Sequence, residues 1–176
     1  MIRWTGGRAF AIACLMLPCM GAAQAQDSDE ARSPQRLDAL MDALATTPWP
    51  ISPGQLHALG LVAPFALEKD AGLRIYRSRP MLTADGYTVE NVEIRVLHEN
   101  ADDIRALFVT FSGSPCFPLE RLGARYALQP LIYPPGHGPL PSAPEHDQHH
   151  SLKAGVISTA IRSQREAPHC VLGLTR

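Results

Sequence analysis

The sequence has no recognisable catalytic motif, no strong excess of either charge and no internal repeat. Its 176 residues contain 16 Lys+Arg and 17 Asp+Glu, so the formal net charge is −1 at pH 7. A mixed surface of this kind lacks the basic footprint of a nucleic-acid-binding protein. After the first twenty-five residues, no apolar run approaches the roughly 20 residues needed to span a bilayer. The composition therefore predicts one domain with neither nucleic acid nor a membrane span among its partners.

The N-terminal segment has the composition of a secretory signal peptide. Arg3 and Arg8 give it a positive start, and residues 10–20 are almost entirely apolar. Ala23 and Ala25 are the small residues that a signal peptidase requires before its cleavage site. Because the apolar run is too short to span a bilayer, we expect cleavage rather than anchoring.

Cleavage would divide the chain into three parts and export the largest of them to the periplasm. The predicted parts are a signal peptide over residues 1–25, a flexible tether over residues 26–32 and a single domain over residues 33–176.

Only two cysteines remain after cleavage. Cys14 and Cys19 lie inside the signal segment, which leaves Cys116 and Cys170. In an oxidising compartment an even number of cysteines normally pairs, so we predict a Cys116–Cys170 disulfide. The alternative is a reactive thiol at Cys116, because a thiol at the start of a helix has a lowered pKa.

Apolar spacing predicts two N-terminal helices and one inserted helix. Leucine and methionine residues form one stripe over residues 37–44, after a Ser33 N-cap. Ser52 and Gln55 have the spacing of a capping box, and a third helix is expected from Pro118.

Between the helices the apolar period changes to two, which indicates strands. Strands are expected near residues 73–76, 92–97, 104–111, 154–161 and 170–174. In the third of them, Ile104 and Phe108 are expected on one face. The proline-rich stretch from 129 to 150 is expected to be irregular. Together these segments predict an α+β domain: an antiparallel sheet of about five strands with all three helices packed on one face.

Histidines are concentrated in the proline-rich stretch. His137, His146, His149 and His150 lie within fourteen residues of one another. Imidazole is a good ligand for zinc or copper, so His146, His149 and His150 form a candidate metal site. The alternative is a solvated loop, because proline-rich backbone offers no fixed partners to orient metal ligands.

Arginine and tyrosine mark a candidate protein-binding surface. Arg74, Tyr76 and Arg77 lie on a predicted strand, and His137 lies on the proline-rich stretch. Arginine and tyrosine are enriched at interface hot spots, so these four residues are the candidate partner contacts. The alternative is a solvated face on which the arginines form ion pairs with Glu93 and nearby acids.

These observations favour a non-catalytic binding protein without a cofactor. The outline is similar to that of many bacterial periplasmic inhibitor and immunity proteins, which is a fold-level analogy. We expect a protein partner, such as a bacterial toxin or a cell-wall-active hydrolase that the domain blocks. Two alternatives stay open: a periplasmic metal-binding protein, and a cysteine-dependent enzyme that uses Cys116 with His57 or His169.

Overall fold

A computed structural model describes residues 31–131, 147–155 and 157–176 of the chain. Within these ranges the chain forms three helices and ten strands. The helices are α1 Leu37–Thr46, α2 Pro53–Ala58 and α3 Leu119–Gly123. The strands are β1 Ala31–Arg32, β2 Phe65–Ala71, β3 Leu73–Ser78, β4 Met81–Leu82, β5 Thr88–Leu97, β6 Asn100–Phe111, β7 Ala127–Pro130, β8 Asp147–Ala154, β9 Ile157–Gln164 and β10 Val171–Thr175.

The described strands form one mixed sheet. Its main path runs β1-β4-β5-β6-β10-β9-β8-β7, and the β2–β3 hairpin joins it through β3, which pairs with β5. Only the short β1–β4 pair is parallel. The two long strands β5 and β6 pair along most of their length and lie at the centre of the sheet.

Two bulges keep the apolar residues of this central pair on one face. In β5, Glu90 is an extra residue without a pairing partner in β6. In β6, Arg105 is an extra residue without a pairing partner in β5. Each extra residue reverses the alternation, so that Ile104 and Leu107 are both buried although they are three positions apart. For the same reason Phe108 points to the face opposite Ile104, which corrects the expectation that the two share a face.

The helices cover the buried face of the sheet. The predicted stripe on α1 is buried, and the buried side chains of α1, α2 and α3 join those of the central strands in one hydrophobic cluster. The capping box at α2 is present: Gln55 N–H donates to Ser52 Oγ (3.3 Å), and Ser52 N–H donates to Gln55 Oε1 (2.8 Å). In the described ranges no helix is long and apolar enough to cross a membrane.

The N-terminus of α1 is capped from a distant part of the chain. The helix begins at Leu37 rather than after Ser33, and its flanking Arg36 makes no side-chain cap. Instead Leu37 N–H donates to Asp85 Oδ1 (2.9 Å), in the turn between β4 and β5. Thr83 Oγ1 donates to the same oxygen (2.8 Å) and holds the carboxylate in place. This contact ties the first helix to the centre of the sheet.

The predicted disulfide is confirmed. Cys116 and Cys170 are bonded, with their Cα atoms 5.1 Å apart and 54 positions apart in the sequence. Next to the disulfide, Pro118 and Cys170 form an isolated antiparallel β-bridge. The disulfide therefore fixes the segment before α3 against the start of β10.

The predicted α+β class, with an antiparallel sheet of about five strands, two N-terminal helices and one inserted helix, is wrong. The described chain is mostly β, and half of its strands were not anticipated. β2 is exposed along nearly its whole length, so it has no apolar alternation to detect. β7 and β8 overlap the two ends of the stretch expected to be irregular, and Leu152 is the only fully buried residue of β8. The predicted signal peptide over residues 1–25 lies outside the described ranges and stays a prediction.

We predict that Asp85→Ala lowers the free energy of unfolding by about 1 kcal/mol, because it removes the acceptor that caps α1. Asp85→Asn is the matched control, since its amide oxygen can still accept from Leu37. It should keep most of the stability, because the ion pair that it loses is 3.9 Å long and its Arg36 side chain is 63 % exposed. Urea unfolding of both variants checks this. Equal losses in the two variants would assign the effect to charge rather than to capping.

Candidate functional site

The face of the sheet opposite the helices is the candidate functional surface, and we call it the open face. Directly paired residues point to the same side of a sheet, so the strand register defines a row across it. Going from β3 to β7, the row consists of Arg77, Glu93, Phe108, Thr175, Ala160, Ser151 and Gln129. In the described part of the chain, no helix packs on this face.

A network of ion pairs occupies the β2–β6 side of the open face. The carboxylate of Glu93 accepts from Arg77 Nη2 through Oε2 and from Arg95 Nε through Oε1, both at 2.8 Å. Arg77 also donates to Glu68 Oε1 at 2.7 Å, and the guanidinium of Arg95 lies 4.5 Å from the ring centroid of Phe108. These five side chains connect four strands in one layer, which we call the Glu93 network.

Local backbone geometry places the outer members of this network. Glu68 is the extra residue of a bulge between β2 and β3, and bulges commonly re-aim a side chain. Two guanidinium groups of the network are partly exposed, whereas the Glu93 side chain is only 13 % exposed. The network is therefore anchored by a nearly buried carboxylate and presents its cations to solvent.

The charges of the network shift its titration. Burial raises the pKa of Glu93, but hydrogen bonds and charges from Arg77 and Arg95 outweigh burial, so its pKa lies below the usual value. The hydrogen bond to Glu93 raises the pKa of the Arg77 guanidinium. Both groups are consequently charged at neutral pH.

A second polar cluster lies on the β8–β9 side of the open face. Arg162 Nη1 is 3.4 Å from Asp147 Oδ2, and Arg162 Nη2 donates to the Leu172 carbonyl (3.3 Å). The Asp147 side chain is only 6 % exposed. His149 lies across from Arg162 in the register; burial lowers its pKa more than the charge of Asp147 raises it, so its imidazole is neutral at pH 7.

The structure divides the predicted partner contacts rather than bringing them together. Arg77 lies on the open face, but Tyr76 points the other way and packs against the hydrophobic cluster. Arg74 points to the same side of the sheet as Tyr76, and its Nε lies 3.5 Å from Asp70 Oδ1. His137 lies outside the described residues. The ion pair between Arg77 and Glu93 fits the alternative interpretation, a solvated face on which arginines pair with acids.

Sequence reasoning did not identify Arg95 and Phe108 as candidate site residues. The bulge at Arg105 conceals the outward direction of Phe108, because simple alternation from Ile104 points it inward. Arg95 could have been found from its position two residues after Glu93, on the same face of one strand.

The predicted metal ligands do not form one group in the described chain. His146 lies outside the described residues, while His149 and His150 are consecutive on β8 and therefore point to opposite faces. His150 Nε2 lies 3.3 Å from Ser163 Oγ on the helix-covered side. No set of three potential ligand side chains meets within the described ranges. The metal site stays a prediction, and only one of these two histidines could join it.

The proposed cysteine enzyme would combine a free thiol at Cys116 with His57 or His169. The sulfur of Cys116 is bonded to that of Cys170, so in this state it has no thiolate to act as a nucleophile. His57 is exposed on α2, and His169 Nδ1 lies 3.3 Å from the Gln164 carbonyl.

Comparison with protein-family models, with curated proteins and with solved structures finds no match to this chain.

We predict that Glu93→Gln lowers the free energy of unfolding at pH 7, because it removes the charge that pairs with Arg77 and Arg95. The loss should be only about 1 kcal/mol, because water partly screens the exposed guanidinium groups. A depressed folded pKa gives stability that is fully present above the unfolded value of 4.5 and is lost as pH falls through the folded value. The difference between wild type and variant should therefore shrink below pH 4.5.

The matched control is Glu90→Gln, which changes an exposed carboxylate on the same strand. Denaturant unfolding from neutral to acidic pH measures both variants. A difference for Glu93→Gln that stays constant through the acidic range, or one equal to that of Glu90→Gln, would contradict the role of the network.

Proposed function

We propose that this protein is an exported, non-catalytic protein-binding module of the periplasm that blocks a toxic or cell-wall-active enzyme. The observation that carries the proposal is the open face, which presents a pre-ordered arginine–aromatic pair beside small, uncharged residues. The predicted signal segment supports export. The Cys116–Cys170 bond fits an oxidising compartment.

The size of the open face suits a protein partner. The row from Arg77 to Gln129 crosses seven strands, and neighbouring strands are about 4.8 Å apart. It is therefore about 29 Å wide. A standard protein–protein interface buries about 800 Å² on each partner, which corresponds to a patch of similar width.

The Glu93 network lowers the entropy that binding would remove. Arg95 is held by Glu93 on one side and by the Phe108 ring on the other. A side chain that is already fixed loses less freedom when a partner covers it. Arginine and aromatic residues are also the types most often found at binding hot spots. Arg95 and Phe108 are accordingly the proposed centre of the contact.

The balance of charge favours a protein over a polyanion. Within the network, Glu68 and Glu93 match Arg77 and Arg95 in number, so their formal charges cancel. Nucleic acid is bound mainly by uncompensated positive charge. A surface with both signs fixed in place instead selects a partner by its pattern of charges.

The test places one new side chain on each side of the molecule. Ala160→Arg introduces an arginine into the middle of the row, and Ala58→Arg introduces the same residue at an exposed position on α2. We predict that wild type and Ala58→Arg retain the same protein from a periplasmic extract. Ala160→Arg should retain it at least about tenfold less strongly, which corresponds to about 1.4 kcal/mol.

Immobilised protein at micromolar concentration, followed by mass spectrometry of the retained proteins, makes this measurement. Thermal unfolding first establishes that both variants are folded. The proposal fails if wild type retains no specific protein, or if Ala160→Arg and Ala58→Arg retain the same protein equally.

A further inference from the structure

A cleft at the end of β10 has the features of a second binding site, away from the Glu93 network. Its cavity volume is about 500 Å³, within the range of small-molecule sites. The lining residues are Pro48, Trp49, Arg105, Ile157, Ser158 and Arg176. It lies between β6 and β9, the two strands that flank β10 in the sheet.

Arg176 forms the polar end of this cleft. Its Nη1 donates to the carbonyls of Leu44 (2.6 Å) and Thr47 (2.7 Å), at the end of α1. Its guanidinium lies 5.2 Å from the ring of Trp49. These contacts fix the plane of the guanidinium, and a planar fork in a fixed place suits a carboxylate.

No side-chain carboxylate in the described part of the chain pairs with the guanidinium of Arg176. A guanidinium has five N–H donors, and both described side-chain hydrogen bonds of Arg176 use Nη1. Burial lowers its pKa, because the side chain is partly removed from water. An anion in the cleft would accept from the N–H groups of Nε and Nη2, in a site where the attraction is poorly screened.

Arg105 supplies a second cation at the mouth. It is the extra residue of the β6 bulge, and such residues are often re-aimed beside functional sites. Its Nη2 lies 2.9 Å from Asp103 Oδ2, and its side chain is 53 % exposed. Asp103 already pairs with Arg105, so Arg105 attracts an anion less strongly than Arg176 does.

The remaining walls are apolar. Trp49, Pro48 and Ile157 supply them, and Ser158 adds a hydroxyl group that hydrogen-bonds with Ser151 (3.0 Å). An apolar cavity with a few fixed polar groups at one end is typical of a ligand site.

We infer that this cleft binds a carboxylate carried on an apolar body, with the carboxylate at Arg176 and the apolar part against Trp49. This inference goes beyond the proposed protein-binding role and does not depend on the open face. The carboxylate could belong to a small organic acid or to the end of a peptide, and both sources have the same chemistry.

The experiment is calorimetric titration with 4-phenylbutyrate and with 4-phenylbutanol, which has the same apolar body without the charge. The acid should bind saturably, and the alcohol at least about tenfold more weakly, because a charge-assisted hydrogen bond is worth about 1.5–3 kcal/mol. Arg176→Gln should weaken binding of the acid by a similar factor. Arg105→Gln should weaken it by a smaller factor, since its charge is shared with Asp103.

The matched control is Arg121→Gln, because Arg121 also lies above an aromatic ring, that of Phe117, but is exposed and lies outside the cleft. It should leave the affinity unchanged. If Arg176→Gln unfolds, because it loses its bonds to Leu44 and Thr47, then Arg105→Gln decides the result.

The inference is overturned if acid and alcohol bind equally, if the acid does not bind at millimolar concentration, or if the cleft variants bind as wild type does. A peptide ending in phenylalanine, compared with its C-terminal amide, separates the two sources. Tighter binding of the free peptide than of 4-phenylbutyrate assigns the site to peptide ends, and weaker binding assigns it to small acids.

Discussion

The antiparallel pairing of β5 with β6 is the interaction on which the rest of the structure depends. These strands occupy the centre of the sheet, and every other strand reaches them directly or through a neighbour. Regular pairing between the bulges places Val92, Ile94, Leu107 and Val109 on the side of the helices. The same alternation sends Glu93, Arg95 and Phe108 to the other side. The hydrophobic core and the Glu93 network are thus two consequences of one register.

Long-range contacts hold the less regular parts of the chain to this central pair. Asp85 caps α1 from the turn that leads into β5, and the disulfide fixes the segment before α3 to the start of β10. Arg176 joins the end of β10 to the end of α1. Each contact links residues that are far apart in sequence. Two of the three lie at the ends of α1, so the position of that helix is fixed at both ends.

The features that could be predicted from the sequence depend on the spacing of nearby residues or on the number of cysteines. The α2 capping box, the buried stripe of α1 and the cysteine pair are of this kind. The strand content could not be predicted, because β2 is almost fully exposed and β8 is mostly polar. Neither strand has enough buried apolar residues to produce a period of two, and pairing with neighbours makes them strands. The prolines between residues 129 and 150 predicted irregular backbone, but the two ends of this stretch belong to strands β7 and β8.

The candidate surfaces could be predicted even less well. The outward direction of Phe108 depends on a bulge, which no local propensity reveals, and the cap on α1 is accepted by a residue 48 positions away. The cleft brings together Trp49, Arg105 and Arg176 from three separate segments. Only the tertiary structure shows that these side chains are neighbours. Arg77 is exposed and forms an ion pair with Glu93, and its role as a partner contact stays a prediction.

The central claim is that the open face is the surface by which this protein meets its partner. The most direct measurement is photo-crosslinking in living cells from a light-reactive residue at Thr110, on the open face, compared with one at Thr46, on the exposed side of α1. The account predicts a discrete adduct with another protein from position 110 and none from position 46. An adduct from position 46 alone, or none from either position, would contradict it.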